Sequence, residues 1–207
     1  MATSTPAAVK FPSALQWAAL GWMLIWVPAY WHAWGAVNFL HLCDVAMILT
    51  CVGLWTNSAL LLSSQAVGLL LVDVAWALDA AWRLLLGRRL TGGTDYLFNV
   101  SHPLWVRLLS FFHIALLVLL LWAVRRTGYR VRAWAVQSGI ALAVVIASRF
   151  TNPAININYA FRDPFFHWTW GPAPTHVAAT VIFLAFVAYL PAHVIFKRIF
   201  PAARQRF

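Results

Sequence analysis

Apolar residues fall in six long runs along this chain, at about 13–30, 36–55, 60–86, 105–124, 133–151 and 176–196, with short polar stretches between them. Each run is close to the ~20 residues that an α-helix needs to cross a hydrocarbon core ~30 Å thick. The pattern predicts an all-α, polytopic membrane helical bundle of six transmembrane helices, in one domain over 1–207. The opening stretch MATSTPAAVK carries a single Lys, and no small-residue cleavage site follows the first run. That run is expected to be a retained span, not a secretory signal.

Composition sharpens the class. Hydrophobic residues make up 63% of the chain and charged ones 10%, against ~45–50% and ~25% in soluble domains. These values exclude a water-soluble enzyme, a disordered tail and a nucleic-acid-binding domain, even though the formal net charge is +10. The basic residues sit in short clusters between apolar runs, where they orient a membrane protein and meet anionic headgroups. With the N-terminus inside, the inner side holds Lys10, Arg125, Arg126, Arg130, Arg132, Lys197, Arg198, Arg204 and Arg206, and the outer side Arg83, Arg88, Arg89, Arg107, Arg149 and Arg162. The bias favours an N-in, C-in topology. Trp31, Trp34, Trp55, Trp105, Trp134, Trp168 and Trp170 lie near run ends and read as interfacial anchors. An Ala-, Leu-, Arg- and Trp-rich chain of this kind is expected in a bacterial inner membrane. Membrane lipids are the expected partners, and a homo-oligomer or a membrane-complex subunit fits equally well.

Polar groups inside the spans are costly unless paired or functional. In the second run, Asn38, His41, Asp44 and Cys51 fall on one stripe of a continuous helix. The third run carries Asp73 and Asp79, the fourth Ser110 and His113. At 1.5 Å per residue, three antiparallel helices would put His41, Asp44, Asp79 and His113 in one layer ~8–12 Å below the outer surface, with Asp73 deeper. The layer predicts a polar pocket between the second, third and fourth helices, opening to the outer face or sideways to the outer leaflet, with His113 as the candidate base.

Structural alternatives stand beside each of these. Asp79 and Arg83 are four apart and would form an intrahelical ion pair, and His41 with Asp44 could pin helix packing. Cys43 and Cys51 lie in one apolar run, so no disulfide is expected between them. The loops 92–103 and 151–164 hold Asp95, Asn99 and His102, and Asn152, Asn156, Asn158 and Arg162; these residue types build turns, or they close the pocket from above. His167, His176 and His193 read as structural. There is no HExxH, GxSxG, CxxC or Walker loop. Haem ligation by His41 and His113 is geometrically open at equal depth, and no cofactor is specified.

The run Leu40-His41-Leu42-Cys43-Asp44 resembles the HLC-type second-helix motif of the bacterial YwaF-like integral membrane family. Phe111-Phe112-His113 is similar to that family's later histidine, and Asn158-Tyr159 to its Asn-Tyr near the fifth span. The likeness covers about 36–160, without the proline that usually precedes the motif. It implies relatives that are lipid acyltransferases or hydrolases of fatty-acid esters, with Cys43 as acyl-accepting residue and His113 as its base. On an unbroken helix, however, Cys43 would point about 100° from Asp44 and about 200° from His41.

Three classes of function therefore enter the structural comparison. One is a lipid-directed acyltransferase or ester hydrolase that uses His113, Cys43, Asp44 and His41, with Asp73, Asp79, Asn38, Asn156, Asn158 and Tyr159 binding substrate. The others are a non-catalytic lipid, quinone or small-solute binding or transport protein, and a haem or metal redox protein. The topology is directly measurable: reporters fused after Phe207 and within the 125–132 loop should both be cytoplasmic, and opposite placement would end the six-span reading.

Overall fold

The computed structural model describes residues 9–201. Arg204, Arg206 and the reporter position at Phe207 lie outside them. Every predicted run is helical, and no strand occurs among the described residues. The helices are α1 Ser13–Trp34, α2 Leu42–Trp55, α3 Ala59–Leu86, α4 Leu104–Thr127, α5 Ala133–Ser148 and α6 Ala173–Ile199. Of these, α3, α4 and α6 are long and apolar enough to cross a membrane, while α2 and α5 are shorter apolar helices. Large apolar side chains such as Leu24, Leu78, Val118 and Phe186 stand more than half exposed on the outer surface, as a lipid-facing surface requires.

Successive helices run antiparallel. At the basic end of the bundle the Phe11 amide donates to Asn57 Oδ1 at 2.7 Å, Arg126 Nη2 to the Lys10 carbonyl at 3.5 Å and the Tyr129 amide to the Phe200 carbonyl at 3.0 Å, so both described chain ends lie at this end. The opposite, looped end carries 35–41, 87–103 and 149–172. Helix α3 is central and packs on α2, α4, α5 and α6. Ser58 caps its start by accepting from the Leu61 amide, and Gly87, at φ 65°, ends it in the left-handed conformation. Residues 62–69 are buried on every side, which is the signature of a helix enclosed by others. There a Cβ on Gly68 would overlap the Gln137 amide of α5, so glycine sets the α3–α5 approach.

Two predicted elements differ. The second run is not one helix over 36–55. A 3-10 turn, Ala36–Leu40, comes first, His41 adopts φ −58°, ψ 135°, and α2 begins at Leu42. The stripe of Asn38, His41, Asp44 and Cys51 is thereby dissolved, since the first two residues precede the helix. In α6, which the sequence pattern gives as one regular span, the turn before Pro191 is widened into a π-helical stretch, Leu184–Tyr189. Proline cannot donate to the preceding turn and its ring crowds that carbonyl, and widening the turn relieves both.

Gly68 yields a test of this packing. Gly68→Val should destabilise the protein by the ~1–3 kcal/mol typical of overpacking, read as a lowered melting temperature. Gln137→Ala in the same chain should restore most of it; no recovery would mean that the two residues do not set the helix spacing.

Candidate functional site

The site is assembled where α2, α3 and α4 meet near the looped end. Asp73 on α3 and His113 on α4 face each other, and His113 Nδ1 lies 2.9 Å from Asp73 Oδ1. Both are buried, at 1% and 5% exposure. The imidazole is stacked between Trp76, one turn along α3 from Asp73, and Phe112, with centroids at 4.5 and 4.3 Å. A carboxylate on Nδ1 fixes the ring and leaves Nε2 as the working nitrogen. Asp73 Oδ2 has no partner.

Around this pair lie the residues that open α2. Asp44, 2% exposed, accepts from Asn38 Nδ2 at 2.7 Å and faces the Cys43 thiol at 3.8 Å. It occupies the first turn of α2, where a negative charge meets the positive end of the helix dipole. Above the pair, Tyr30 and Ser110 share a hydrogen bond of 2.7 Å, and Trp76 Nε1 donates to the Tyr96 hydroxyl at 2.9 Å; burial pushes the Tyr96 phenol well up.

The remaining candidates hold the scaffold. Asp79 is not level with His113. Its oxygens accept from the amides of Thr91 (2.6 Å), Gly92 (3.3 Å) and Thr94 (2.9 Å) and from the Thr94 hydroxyl (2.6 Å), so its lone pairs are spent tying the 91–94 loop to α3. The expected Asp79–Arg83 pair does not form. Arg83 pairs instead with Asp95 and lies over the Phe98 ring, 4.2 Å from its centroid. The expected depth of Asp79 takes the end of the 60–86 run as the outer surface, whereas α3 overhangs the bundle there, with Leu84, Leu85 and Leu86 exposed.

The asparagines are also builders. Asn158, at φ 52°, ψ 24°, accepts from the Leu42 amide at 2.9 Å and donates to the Leu40 carbonyl at 2.6 Å and to Ser148 Oγ at 2.9 Å. One side chain thus satisfies both sides of the break before α2. Asn156 closes its own loop, accepting from the Phe161 and Arg162 amides and donating to the Arg162 carbonyl. The Tyr159 side chain is 44% exposed, and its carbonyl is paired with His176 Nε2 at 3.0 Å. Desolvation acts upward on the Asp163 carboxyl, and donation from Phe166, Trp168, Phe165 and Trp170 outweighs it, holding Asp163 below the usual carboxylate range. Among the described residues no three His, Cys, Asp or Glu side chains gather as a metal site.

Sequence reasoning missed Tyr30, Trp76 and Tyr96. Only Trp76 left a signal, since it lies three residues from Asp73 and therefore on the same helix face.

Separating builder from chemist is a matter of one substitution. Asp79→Ala leaves three backbone donors and one hydroxyl without their acceptor; a lost partner of a buried donor costs ~1–3 kcal/mol. The variant should melt earlier and exchange the Thr91 and Thr94 amide hydrogens faster. Unchanged exchange would remove Asp79 from this structural role. Set against known proteins, the chain matches no family model, no curated protein and no solved structure.

Proposed function

We propose that this chain is a six-span, N-in, C-in protein of a bacterial inner membrane that works on lipid esters, by hydrolysis or acyl transfer, with His113 as general base. The observation that carries the reading is the Asp73–His113 pair, 2.9 Å apart and buried between helices. A carboxylic acid and an imidazole are expensive at this depth, and breaking a buried pair by removing one partner costs ~3–5 kcal/mol. Simple helix packing needs no such pair, whereas a base needs an orienting acid.

In this reading His113 Nε2 takes the proton of the attacking group, which adds to the ester carbonyl. The same proton then goes to the departing alkoxide as the acyl–oxygen bond breaks. Water as the attacking group gives hydrolysis. Cys43 as the attacking group gives an acyl-thioester that a second lipid alcohol resolves, with His113 again taking and returning the proton. The start of α2 suits the developing negative charge, because a helix N-terminus presents free N–H groups and the positive end of its dipole. The resemblance of the HLCD run to acyl-transferring families supports the same chemistry.

The test is ester turnover by the purified protein in proteoliposomes, with a fluorescent phosphatidylcholine as substrate and masses recorded for the products and for Cys43 peptides. His113→Ala should lower turnover by at least about 10²-fold, the range for loss of a general base, and Asp73→Asn should follow it while the helical content stays. Acylated Cys43 with an inactive Cys43→Ser selects transfer, and an active Cys43→Ser selects hydrolysis. Wild-type turnover in folded His113→Ala would overturn the proposal.

A further inference from the structure

None of the chain's five acids lies at the basic end of the bundle. Asp95 and Asp163 are in loops of the opposite end, Asp44 opens α2 there, Asp79 is tied to the 91–94 loop, and Asp73 is mid-span beside His113. Arginines of the looped end are accordingly matched. Arg83 and Arg89 pair with Asp95, and Arg107 and Arg149 donate to the Leu97 and Ala160 carbonyls. At the basic end Arg125, Arg126, Arg130, Arg132, Lys197 and Arg198, all exposed, have no acidic side chain to meet.

Two of these cations share a formed site. A cleft of about 380 Å³ is lined by Trp122, Arg125 and Arg126 in the last turns of α4. Its walls are held in place. The Phe11 ring, buried, lies 5.8 Å from the Trp122 ring, and the Phe11 amide is fixed on Asn57. The Arg126 guanidinium stands over the Trp122 ring, 5.5 Å from its centroid, and donates from Nη2 to the Lys10 carbonyl at 3.5 Å. Ordering a free arginine side chain costs ~1.5–2 kcal/mol, and here much of that ordering precedes any ligand. Below the cleft, Ile114 and Val118 continue the line of Trp122 at one-turn intervals, and all three are exposed. From Trp122 to Ile114 this stripe runs ~12 Å, most of the depth of one leaflet of a ~30 Å hydrocarbon core.

We infer that the Trp122–Arg125–Arg126 cleft binds the phosphodiester headgroup of one anionic phospholipid from the leaflet at the basic end, with an acyl chain lying along Val118 and Ile114. Guanidinium groups present a planar fork of donors that matches two phosphate oxygens at once. The indole beside them suits the boundary between headgroup and hydrocarbon. Net charge decides among headgroups. A zwitterionic lipid would bring its ammonium group to an end that has no carboxylate to receive it, whereas an anionic headgroup adds no positive charge. The site is separate from the Asp73–His113 pair and does not depend on the ester chemistry proposed there.

Native mass spectrometry of the full chain in detergent is the test, with phosphatidylglycerol and phosphatidylcholine of identical acyl chains as probes. The first phosphatidylglycerol should bind about tenfold more tightly than phosphatidylcholine, a difference of ~1.4 kcal/mol. Arg125→Gln with Arg126→Gln should remove that preference. Arg130→Gln with Arg132→Gln deletes the same charge at the same end and should leave it within about twofold. Arg125→Gln alone, which leaves the Arg126–Lys10 contact in place, should weaken the first phosphatidylglycerol about threefold, with the lipid-free melting temperature unchanged. Equal losses in the two double variants would overturn the site in favour of diffuse attraction to the whole basic end. Phosphatidylcholine binding as tightly as phosphatidylglycerol would overturn it as well. So would displacement of the lipid by an equal concentration of sn-glycerol 3-phosphate, since the cleft would then hold a free phosphate.

Discussion

Backbone polar groups have no water to turn to inside a bilayer, so an interrupted helix survives there only where protein satisfies the freed groups. The break between Leu40 and Leu42 meets that demand through Asn158, whose amide pairs with both sides of the gap and with Ser148. The connection spans more than a hundred residues of chain and joins α2 to the end of α5. Without it the first amide of α2 would be an orphan, and the 3-10 turn would have no anchor. The positions of Asn38, His41, Cys43 and Asp44 all follow from where that break is held.

Breaking the helix has a chemical consequence. A continuous α2 would carry Cys43 and Asp44 in mid-helix, with their amides consumed by the preceding turn. Starting the helix at Leu42 frees those amides and lets Asn38 fold back to Asp44. Polar groups accumulate on one side of α3 as a result, and α3 answers with Asp73. The aromatic rings of Trp76 and Phe112 then hold the imidazole of His113 flat between them, which limits its rotation more tightly than a hydrogen bond alone would.

The architecture was largely legible in the sequence because apolar run length is dictated by bilayer thickness, and all six runs became helices. The break at His41 was not, because Leu40-His41-Leu42 reads as apolar helix and the capping residue lies far away in sequence. His113 is identifiable as an ionisable group in hydrocarbon, but the acid that stands level with it is not. The end of the 60–86 run does not mark the surface, because α3 overruns the bundle, so Asp73 and not Asp79 stands level with His113. Asn156 and Asn158 were visible as polar loop residues, yet their work is on backbone groups that only folding brings near.

Helix length carries one more implication. Helix α2 has 14 residues and reaches ~21 Å, while α3 has 28 and reaches ~42 Å, on either side of a ~30 Å hydrocarbon core. A bilayer cannot match both at once, and mismatch is relieved by tilting the long helix and thinning the lipid beside the short one. Where α2 crosses as one of six spans, thinning beside it would draw headgroups and water toward His41. Host-lipid thickness thus becomes a physical variable of the protein, setting how far the aqueous boundary descends toward its polar interior and in which membranes it settles at least elastic cost.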